Sequence, residues 1–171
     1  MSSFAYYLIF YWRNDMRKFE VISIEQFNKD VSNGNYEDIL LPVRKTKYSA
    51  GYDFLAIDDI WLEPGEIKKI PTGIKVSVND DEYLAIYVRS SLGIKYNIRM
   101  CNQTGIIDKD YYNNQDNEGH IWICLENRGK KEYIIKKGTG FAQGIFMKYL
   151  LTDDDCVEDV RMGGIGSTDR R

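Results

Sequence analysis

The sequence predicts an all-β fold, an antiparallel β-barrel or jelly roll with one short helix. From Tyr48 onward, short runs rich in Ile, Val, Tyr and Trp alternate with turn signals such as Pro64-Gly65 and Asn127-Arg128-Gly129. Apolar residues alternate within these runs, as at Leu84 and Ile86, so each strand is expected to bury one face. With 171 residues, 43% of them hydrophobic, the chain can form one domain with a substantial core.

The single predicted helix precedes the strands. The run from Ser23 to Val31 has a capping serine, and Gln26 three residues later would complete a capping box. We assign residues 16–151 to the β domain and residues 152–171, which are rich in acid and then in glycine, to a flexible C-terminal arm.

Residues 1–15 are interpreted as an N-terminal extension, and no functional prediction rests on them. The apolar stretch from Phe4 to Trp12 is about half as long as a bilayer-spanning helix and lacks a basic leader. The sequence therefore predicts neither a membrane helix nor a signal peptide, and no membrane partner is expected.

Charge and composition exclude several function classes. A net charge of -3 argues against a general nucleic-acid binder, although a local basic pocket for a small polyanion remains open. His120 is the only histidine, so we interpret it as a strand residue near a surface and not as part of a triad. The three cysteines have no CxxC spacing, which is typical of reduced thiols in a cytoplasmic protein.

The segment from Asn102 to Tyr111 carries the strongest catalytic signal. Asp108 follows two isoleucines, so it lies at a strand end, where the backbone can hold a carboxylate firmly at a cleft. Asp108 is therefore the first candidate for a general base. The alternative is a hairpin in which Asn, Gly and Asp serve turn geometry alone.

Four further clusters lie at strand ends or in loops. Arg89-Ser90-Ser91 combines a guanidinium, two hydroxyls and turn N–H groups, which suits phosphate oxygens; a capped turn with a solvated arginine is the alternative. Ala50 to Phe54 and Gly138 to Gln143 are weaker signals that also fit a bulge and a turn. Arg161 to Thr168 could be a disordered linker or a clamp over a phosphate chain.

In chain order, these five segments resemble the five motifs of the trimeric dUTPase family, over roughly residues 45–169. Ala-Gly-x-Asp stands at 50–53, Arg-Ser-Ser at 89–91 and Asn-x-x-Gly-x-Ile-Asp-x-x-Tyr at 102–111. The fourth motif is partly kept at 138–143, and Gly-Gly-x-Gly-Ser-Thr at 163–168 is similar to the fifth. The resemblance extends to the related dCTP deaminases, which share the Arg-Ser-Ser segment.

The resemblance implies a homotrimer that hydrolyses dUTP to dUMP and pyrophosphate, with sites at the subunit interfaces. Asn102 and the Gly105 backbone would contact uracil, and Tyr111 would lie under the deoxyribose. Asp108 would activate water for attack on the α-phosphorus.

The same resemblance implies Mg²⁺ as the cofactor, bound to the triphosphate, with Asp53 acting on it through water. Phosphate oxygens would be bound by Arg89, Ser90 and Ser91, with Gln143 as a phosphate or interface contact. The arm of one subunit would cover another subunit's site, through residues Arg161, Ile165, Gly166, Ser167 and Thr168.

Several positions depart from the family pattern. Thr139-Gly140 replaces the usual Asp-Arg of the fourth motif, which removes a charge pair. Ile165 replaces a phenylalanine that stacks on uracil, and Asp169 stands where glycine is common. We therefore expect weaker closure of the arm.

Two alternatives follow from these departures. A regulatory protein could keep the nucleotide pocket and use its arm to control a protein partner. A dCTP deaminase is disfavoured because its chemistry needs a glutamate in the strand after the hairpin, where Cys124 stands, with Glu126 two residues later.

Overall fold

Eleven strands and two short helices make up the described part of the chain, which confirms the all-β prediction. The structure is a computed structural model that describes residues 17–161 together with Gly163 and Gly164. The predicted extension at residues 1–15 lies outside this range. The strands are β1 Lys18–Val21, β2 Tyr52–Leu55, β3 Ile60–Leu62, β4 Ile67–Pro71, β5 Ile74–Ser77, β6 Glu82–Val88, β7 Ile98–Met100, β8 Gly105–Ile107, β9 Trp122–Asn127, β10 Tyr133–Ile135 and β11 Gly140–Lys148. The helices are α1 Ile24–Asp30 and α2 Ser90–Tyr96, with 3₁₀ turns at Tyr36–Asp38 and Lys109–Tyr111.

All strand pairs are antiparallel, and they form four sheets. The largest sheet has the order β2-β11-β6-β8, and a second sheet has the order β4-β9-β7. Two strand pairs, β1-β5 and β3-β10, complete the described sheets. The four-stranded sheet carries the candidate site, because four of the five motifs lie on its strands or directly after them.

The predicted alternation buries one face of the strands that matter for the site. Leu84 and Ile86 of β6 are at most 1% exposed, as are Ile74 and Val76 of β5. They belong to one apolar cluster that contains Phe54, Phe141, Ile98, Ile121, Ile123, Leu125 and Ile135. Ile67 is an exception: it begins β4 and is 63% exposed, because it lies on the outward face of the sheet.

Helix α1 begins where the sequence predicts, but its capping box is incomplete. The Ser23 hydroxyl accepts a hydrogen bond from the Gln26 N–H at 3.1 Å. The Gln26 side chain donates to Asp30 instead of reaching back to Ser23. The Ser23 N–H is satisfied by the Glu118 carboxylate at 3.0 Å. A long-range partner therefore takes the role expected of a local one.

The expectation of only one helix was wrong, because Ser90–Tyr96 forms α2. Leu92 is its one buried residue, while Ile94 is 84% exposed, so the segment has no apolar stripe for a sequence pattern to detect. The helix ends at Asn97, whose φ of 55° lies in the left-handed region that Asn tolerates. The two serines indicate a turn in the sequence, but a helix starts directly after Arg89.

His120 is fully buried, so its expected place near a surface was wrong. Its Nε2 accepts the Gly73 N–H at 2.9 Å, which leaves Nδ1 to donate to the Asp30 carboxylate at 2.6 Å. Both ring nitrogens therefore hold α1 and the turn before β5 against the segment that leads into β9. This arrangement supports a structural role for the only histidine.

None of the helices within residues 17–161 is both long and apolar enough to cross a membrane.

The buried histidine predicts that acid lowers the stability of the protein. Burial lowers the pKa of His120 below its usual range, against the opposing effect of Asp30. Because the folded state then holds it neutral, the unfolded chain binds the extra proton as pH falls below about 6.5. The contribution of His120 to the free energy of unfolding is complete above about pH 6.5. It is lost as pH falls through the lower pKa that His120 has in the folded state. We expect urea unfolding between about pH 7.5 and 5.5 to show a loss with a slope of at most about 1.4 kcal/mol per pH unit.

His120→Gln is the matched control, since it removes the only histidine from the chain. The variant should be less stable at pH 7.5, and its stability should change less over the same pH range. Equal pH slopes in the two proteins would contradict the assignment.

Candidate active site

Arg89, Asp53 and Gln143 meet at one end of the four-stranded sheet. Gln143 of β11 pairs with Asp53 of β2 on one side and with Tyr87 of β6 on the other. Arg89 follows β6, and its Nε lies 3.5 Å from Asp53 Oδ1. These residues, which we call the Arg89 cluster, bring together the first, second and fourth motifs as neighbours on three adjacent strands.

Two glycines allow the Arg89 cluster to pack. A methyl group on Gly51 would overlap the Gln143 side chain, so the glycine of the first motif is needed by the glutamine of the fourth. A Cβ on Gly140 would lie 3.1 Å from Arg89 Nη1 and 3.3 Å from Asp53. Arg89 Nη1 instead donates to the Gly140 carbonyl at 3.1 Å, so this departure from the family pattern leaves the arginine held in place.

Ser90 and Ser91 begin α2 and are exposed. The first helical hydrogen bonds come from Leu92 and Gly93, which donate to the Arg89 carbonyl, so the N–H groups of the two serines precede them. Two hydroxyls and two backbone donors therefore lie beside a guanidinium, which is a suitable set for an anion. The sequence predicts a turn at these residues, whereas they begin a helix.

Asp108 lies directly after β8 and is 47% exposed through its side chain. Tyr111, three residues later, is only 3% exposed. The Tyr111 hydroxyl donates to the His120 carbonyl and accepts from Asn117, each at 2.9 Å. Burial raises the pKa of Tyr111, so its hydroxyl stays neutral. The two hydrogen bonds hold the ring in place beside the more exposed Asp108 carboxylate.

Arg161 joins this second group of residues, which we call the Asp108 cluster. Its Nη2 donates to Asp108 at 3.0 Å, and its backbone N–H donates to Asp110 at 3.0 Å. The guanidinium carbon lies 5.8 Å from the centre of the Tyr111 ring. A cavity of about 660 Å³ opens here, lined by Asp80, Asp108, Lys109, Asp110, Tyr112, Tyr149, Val160 and Arg161.

The loop after Tyr111 supports the Asp108 cluster, a role that sequence analysis missed. Asn114 Oδ1 accepts the N–H groups of Asp116 and Asn117, which folds the loop on itself. Asp116 then accepts the Gly164 N–H at 2.8 Å. The run of Asn and Asp was the available signal, because such side chains hydrogen-bond to nearby backbone N–H groups. Of the predicted arm residues, Arg161 is described, whereas Ile165, Gly166, Ser167 and Thr168 lie outside the described residues.

The segment from Asn102 to Ile107, for which we keep the name hairpin, joins β7 of the three-stranded sheet to β8, and β8 is an edge of the four-stranded sheet within the described chain. Half of the backbone groups of an edge strand face away from its neighbour, so β8 offers N–H and C=O groups to a ligand. Asn102 is exposed at the turn, where Gln103 has a φ of 61°. Gly105 pairs with Ile86, and a Cβ on Gly105 would lie 3.2 Å from the Cβ of Ile86. A glycine therefore permits the close approach of the two strands.

The two clusters do not meet within one chain. Ile107 pairs with Leu84, so Asp108 lies beside the start of β6, while Arg89 follows its end. Six residue steps along the strand, from Tyr83 to Arg89, separate the two levels by about 20 Å. A compact site that used both clusters would therefore need two copies of the chain.

Asp53 has a carboxylate oxygen that is available to a metal-bound water. Its Oδ2 is buried and has no hydrogen-bond partner among the described residues. Across residues 17–161, 163 and 164, no group of three or more His, Cys, Asp or Glu side chains could hold a metal ion directly. One unpaired carboxylate oxygen fits Mg²⁺ that arrives with phosphates and keeps its waters, as the sequence predicts.

Comparison with known proteins identifies the family and the fold. A family model described as dUTPase matches residues 37–168. The chain belongs to the dUTPase family. A deoxyuridine 5'-triphosphate nucleotidohydrolase of Lactococcus lactis is 46% identical over 132 residues, which cover 76% of this chain and 88% of that protein. The crystal structure of a dUTPase from Streptococcus mutans has a TM-score of 0.67 at 35% identity and covers 80% of this chain and 99% of its own.

A mutant dUTPase of phage phi11 of S. aureus, whose structure describes coordination of a structural Mg(II) ion, has a TM-score of 0.64. It covers 85% of this chain and 98% of its own, and at 21% identity it shows likeness of fold alone. Membership in the dUTPase family confirms the predicted family, the β-barrel or jelly-roll fold and the enzyme class, dUTP diphosphatase.

The close approach of Gly105 to Ile86 predicts that Gly105→Ala destabilises this dUTPase-family chain. The added methyl must displace Ile86, which is 1% exposed, and such overpacking costs about 1 to 3 kcal/mol. Gly93→Ala is the control, because a Cβ there meets atoms no nearer than 3.7 Å and favours the helix. Chemical denaturation should separate the two variants. Equal stabilities would show that the hairpin can shift without cost.

Proposed function

We propose that this chain hydrolyses dUTP to dUMP and pyrophosphate, with Asp108 as the general base. The observation that carries the proposal is the position of Asp108, at a strand end beside the buried Tyr111 and the Arg161 guanidinium, in a chain of the dUTPase family. A half-exposed carboxylate at a cavity can accept a proton from water, and a general base contributes about 10² to 10⁴ in rate.

Arg161 must leave Asp108 before this base can act. In the apo chain the guanidinium donates to the Asp108 carboxylate at 3.0 Å. A triphosphate carries more negative charge than a single carboxylate and accepts several hydrogen bonds, so it competes for the same arginine. When the arm closes over a neighbouring subunit's site, its Arg161 would pass from Asp108 of its own chain to the phosphates bound there, and this Asp108 would be free to orient and deprotonate the attacking water. Substrate binding would in this way activate the base.

The Arg89 cluster would hold the phosphates at the reacting end. Arg89 is fixed by Asp53 and the Gly140 carbonyl, and Ser90 and Ser91 add hydroxyl and backbone donors. Donors that are positioned before the reaction stabilise developing charge without reorganisation, and this is the larger part of catalysis in such reactions. Gln143 lies in the same row and would contact phosphate or the neighbouring subunit.

Mg²⁺ would enter with the triphosphate. When bound, it neutralises phosphate charge and orients the chain of phosphates for in-line attack. Asp53 would hold water in the coordination shell through its unpaired Oδ2, which needs a donor in any case.

Base and sugar selection would come from the hairpin and Tyr111. The free edge of β8 offers backbone groups that can pair with uracil, with Asn102 at its turn. A close fit at this edge leaves no room for a methyl on the base, so thymine is rejected by overlap. The rigid Tyr111 ring would lie under the deoxyribose and exclude a 2'-hydroxyl.

A homotrimer would bring the two clusters together. They lie about 20 Å apart along β6 in one chain, which supports sites shared between subunits. The outer face of the same sheet carries Tyr83, Tyr87, Ile106, Ile145 and Met147, of which Ile106 is 61% and Met147 38% exposed. An apolar face of this kind favours contact with another copy. The arm, including residues 165–168, would close over a neighbouring subunit's site.

The alternatives receive less support. A deaminase would need an acid at the position of Cys124, and Glu126 is paired with Arg128 at 2.7 Å on the other sheet. A regulatory protein partner and a cytoplasmic location stay predictions from sequence.

The base assignment predicts that Asp108→Asn lowers kcat for dUTP by about 10² to 10⁴ while nucleotide affinity changes little. Pyrophosphate release with Mg²⁺ measures turnover, and calorimetry with a non-hydrolysable dUTP analogue measures binding. The unmodified chain should turn over neither dTTP nor UTP. Asp116→Asn is the control, because Asp116 lies on the supporting loop and outside the cavity lining.

Full turnover in Asp108→Asn would exclude this base. Binding without turnover by the unmodified chain would favour the regulatory alternative, and ammonia from dCTP would favour the deaminase.

The shared-site arrangement predicts complementation between two inactive variants. Arg89→Ala and Asp108→Asn should each be inactive alone. After unfolding and refolding as an equal mixture, about one quarter of sites should combine an intact Arg89 cluster with an intact Asp108. Turnover of the mixture, with light scattering to establish the trimer, tests this. No recovery in mixed trimers would place both residues in a site within one chain.

A further inference from the structure

Cys101 and Cys124 lie directly opposite each other on neighbouring strands. Strand β7 pairs with β9 so that Met100 faces Leu125, and the next pair in this register is Cys101 with Cys124. The Cys101 N–H donates to the Cys124 carbonyl at 3.0 Å, so the ladder continues through this pair. Residues that pair in this way have Cα atoms about 5.5 Å apart, and their side chains extend from the same face of the sheet.

This spacing is compatible with a disulfide. Bridged cysteines have Cα separations of roughly 4.4 to 6.8 Å, so the two strands need not move apart or together. Both cysteines are free thiols; Cys101 is exposed and Cys124 is partly exposed. Solvent can therefore bring an oxidant to the pair.

The two thiols also influence each other. Burial and a hydrogen bond with Cys124 raise the pKa of Cys101 to about 11. When two thiols share a proton, the pair loses its first proton more readily than its second. Cys101, with its raised pKa, is thus suited to the second step of a thiol exchange and not to the first.

We propose that Cys101 and Cys124 form a reversible intramolecular disulfide directly before the hairpin from Asn102 to Ile107. The oxidant is a small disulfide such as oxidised glutathione. The Cys124 thiolate attacks one of its sulfurs, forms a mixed disulfide and releases one glutathione thiolate. Cys101 loses its proton to solvent, attacks the Cys124 sulfur and releases the second glutathione. Two protein thiols are oxidised, and one glutathione disulfide is reduced to two thiols.

The position of the bridge gives it a consequence for the site. Cys101 directly precedes Asn102, and the turn at Gln103 connects it to Gly105 of β8. A bridge to β9 would fix the first residue of this turn to a central strand. The hairpin could then adjust less when a nucleotide binds at its edge, so oxidation would lower turnover. This consequence rests on the proposed function, whereas formation of the disulfide does not.

The test uses the full chain with Cys156→Ser, which removes the exposed arm cysteine and leaves the pair as the only thiols. The protein is equilibrated in glutathione buffers of increasing oxidised fraction, alkylated and analysed by intact mass. We expect both thiols to become resistant to alkylation and the mass to lie two hydrogens below that of the reduced, unalkylated chain. A linked peptide should contain both cysteines. Dithiothreitol should restore both thiols. Two free thiols in the most oxidising buffer, a stable glutathione adduct as the end product, or linkage between chains would each overturn the proposal.

Cys124→Ser in the same background is the matched control and cannot form the bridge. We expect kcat/KM for dUTP to fall by about tenfold on oxidation of the parent and to stay unchanged in the control, since small displacements of binding groups have effects of this size. A bridge that forms without changing kcat/KM would overturn the effect on the site. Absence of turnover in the reduced protein would count against the proposed function, while the thiol analysis would still decide the disulfide.

Discussion

The pairing of β6 with β8 is the constraint on which the rest of the site depends. Leu84 and Ile86 are buried in the main core, so a shift by one residue would turn both side chains to the outer face. The core therefore fixes the register, and the register places Arg89 after one end of β6 and Asp108 beside the other. The proposed sites of phosphate binding and water activation are separated by the length of a strand. The proposed role of a second subunit follows from the packing of the first.

The charged residues around the cavity also affect how a substrate could bind. Asp80, Asp108 and Asp110 all line the cavity that a nucleoside triphosphate is proposed to enter. Three carboxylates repel a polyanion unless cations offset them. Arg161 lies between two of these acids, Lys109 pairs with Asp80, and Arg89 would come from another subunit. Binding of a metal-carrying triphosphate at this cavity is thus an exchange of ion pairs, in which protein cations move from carboxylates to phosphates.

Sequence patterns predicted the strands, the order of motifs and Asp108 at a strand end, because these depend on local alternation and turn chemistry. They did not predict α2, since a helix with Leu92 as its only buried residue has no amphipathic signal. They also missed the partners of Ser23 and His120. Glu118 lies 95 residues from Ser23, and Asp30 lies 90 residues from His120. Contacts over such distances depend on the complete fold and leave no mark on a short window.

Some residues of the candidate site were predicted from the sequence, and others were missed. Arg89, Ser90 and Ser91 were predicted from their chemistry, Gln143 and Tyr111 from family resemblance, and the structure brings the first four together at one end of the sheet. Asn117 and Asp116 were missed because they act through Tyr111 and Gly164 and not by direct chemistry. The substitution at Gly140 looked like a loss of charge in the sequence. In the fold, its carbonyl accepts a hydrogen bond from Arg89, and this contact does not depend on a side chain at position 140.

The free edge of β8 has a consequence for how this specificity can change during evolution. A base that pairs with main-chain groups meets donors and acceptors that every amino acid carries, so most substitutions in the hairpin leave the hydrogen-bonding pattern intact. Only changes that move the strand, such as a side chain at Gly105, can alter what the edge recognises. Selectivity for the base would then be inherited with the register of the sheet. Drift at exposed positions such as Ile106 could alter assembly while the preferred nucleotide stays the same.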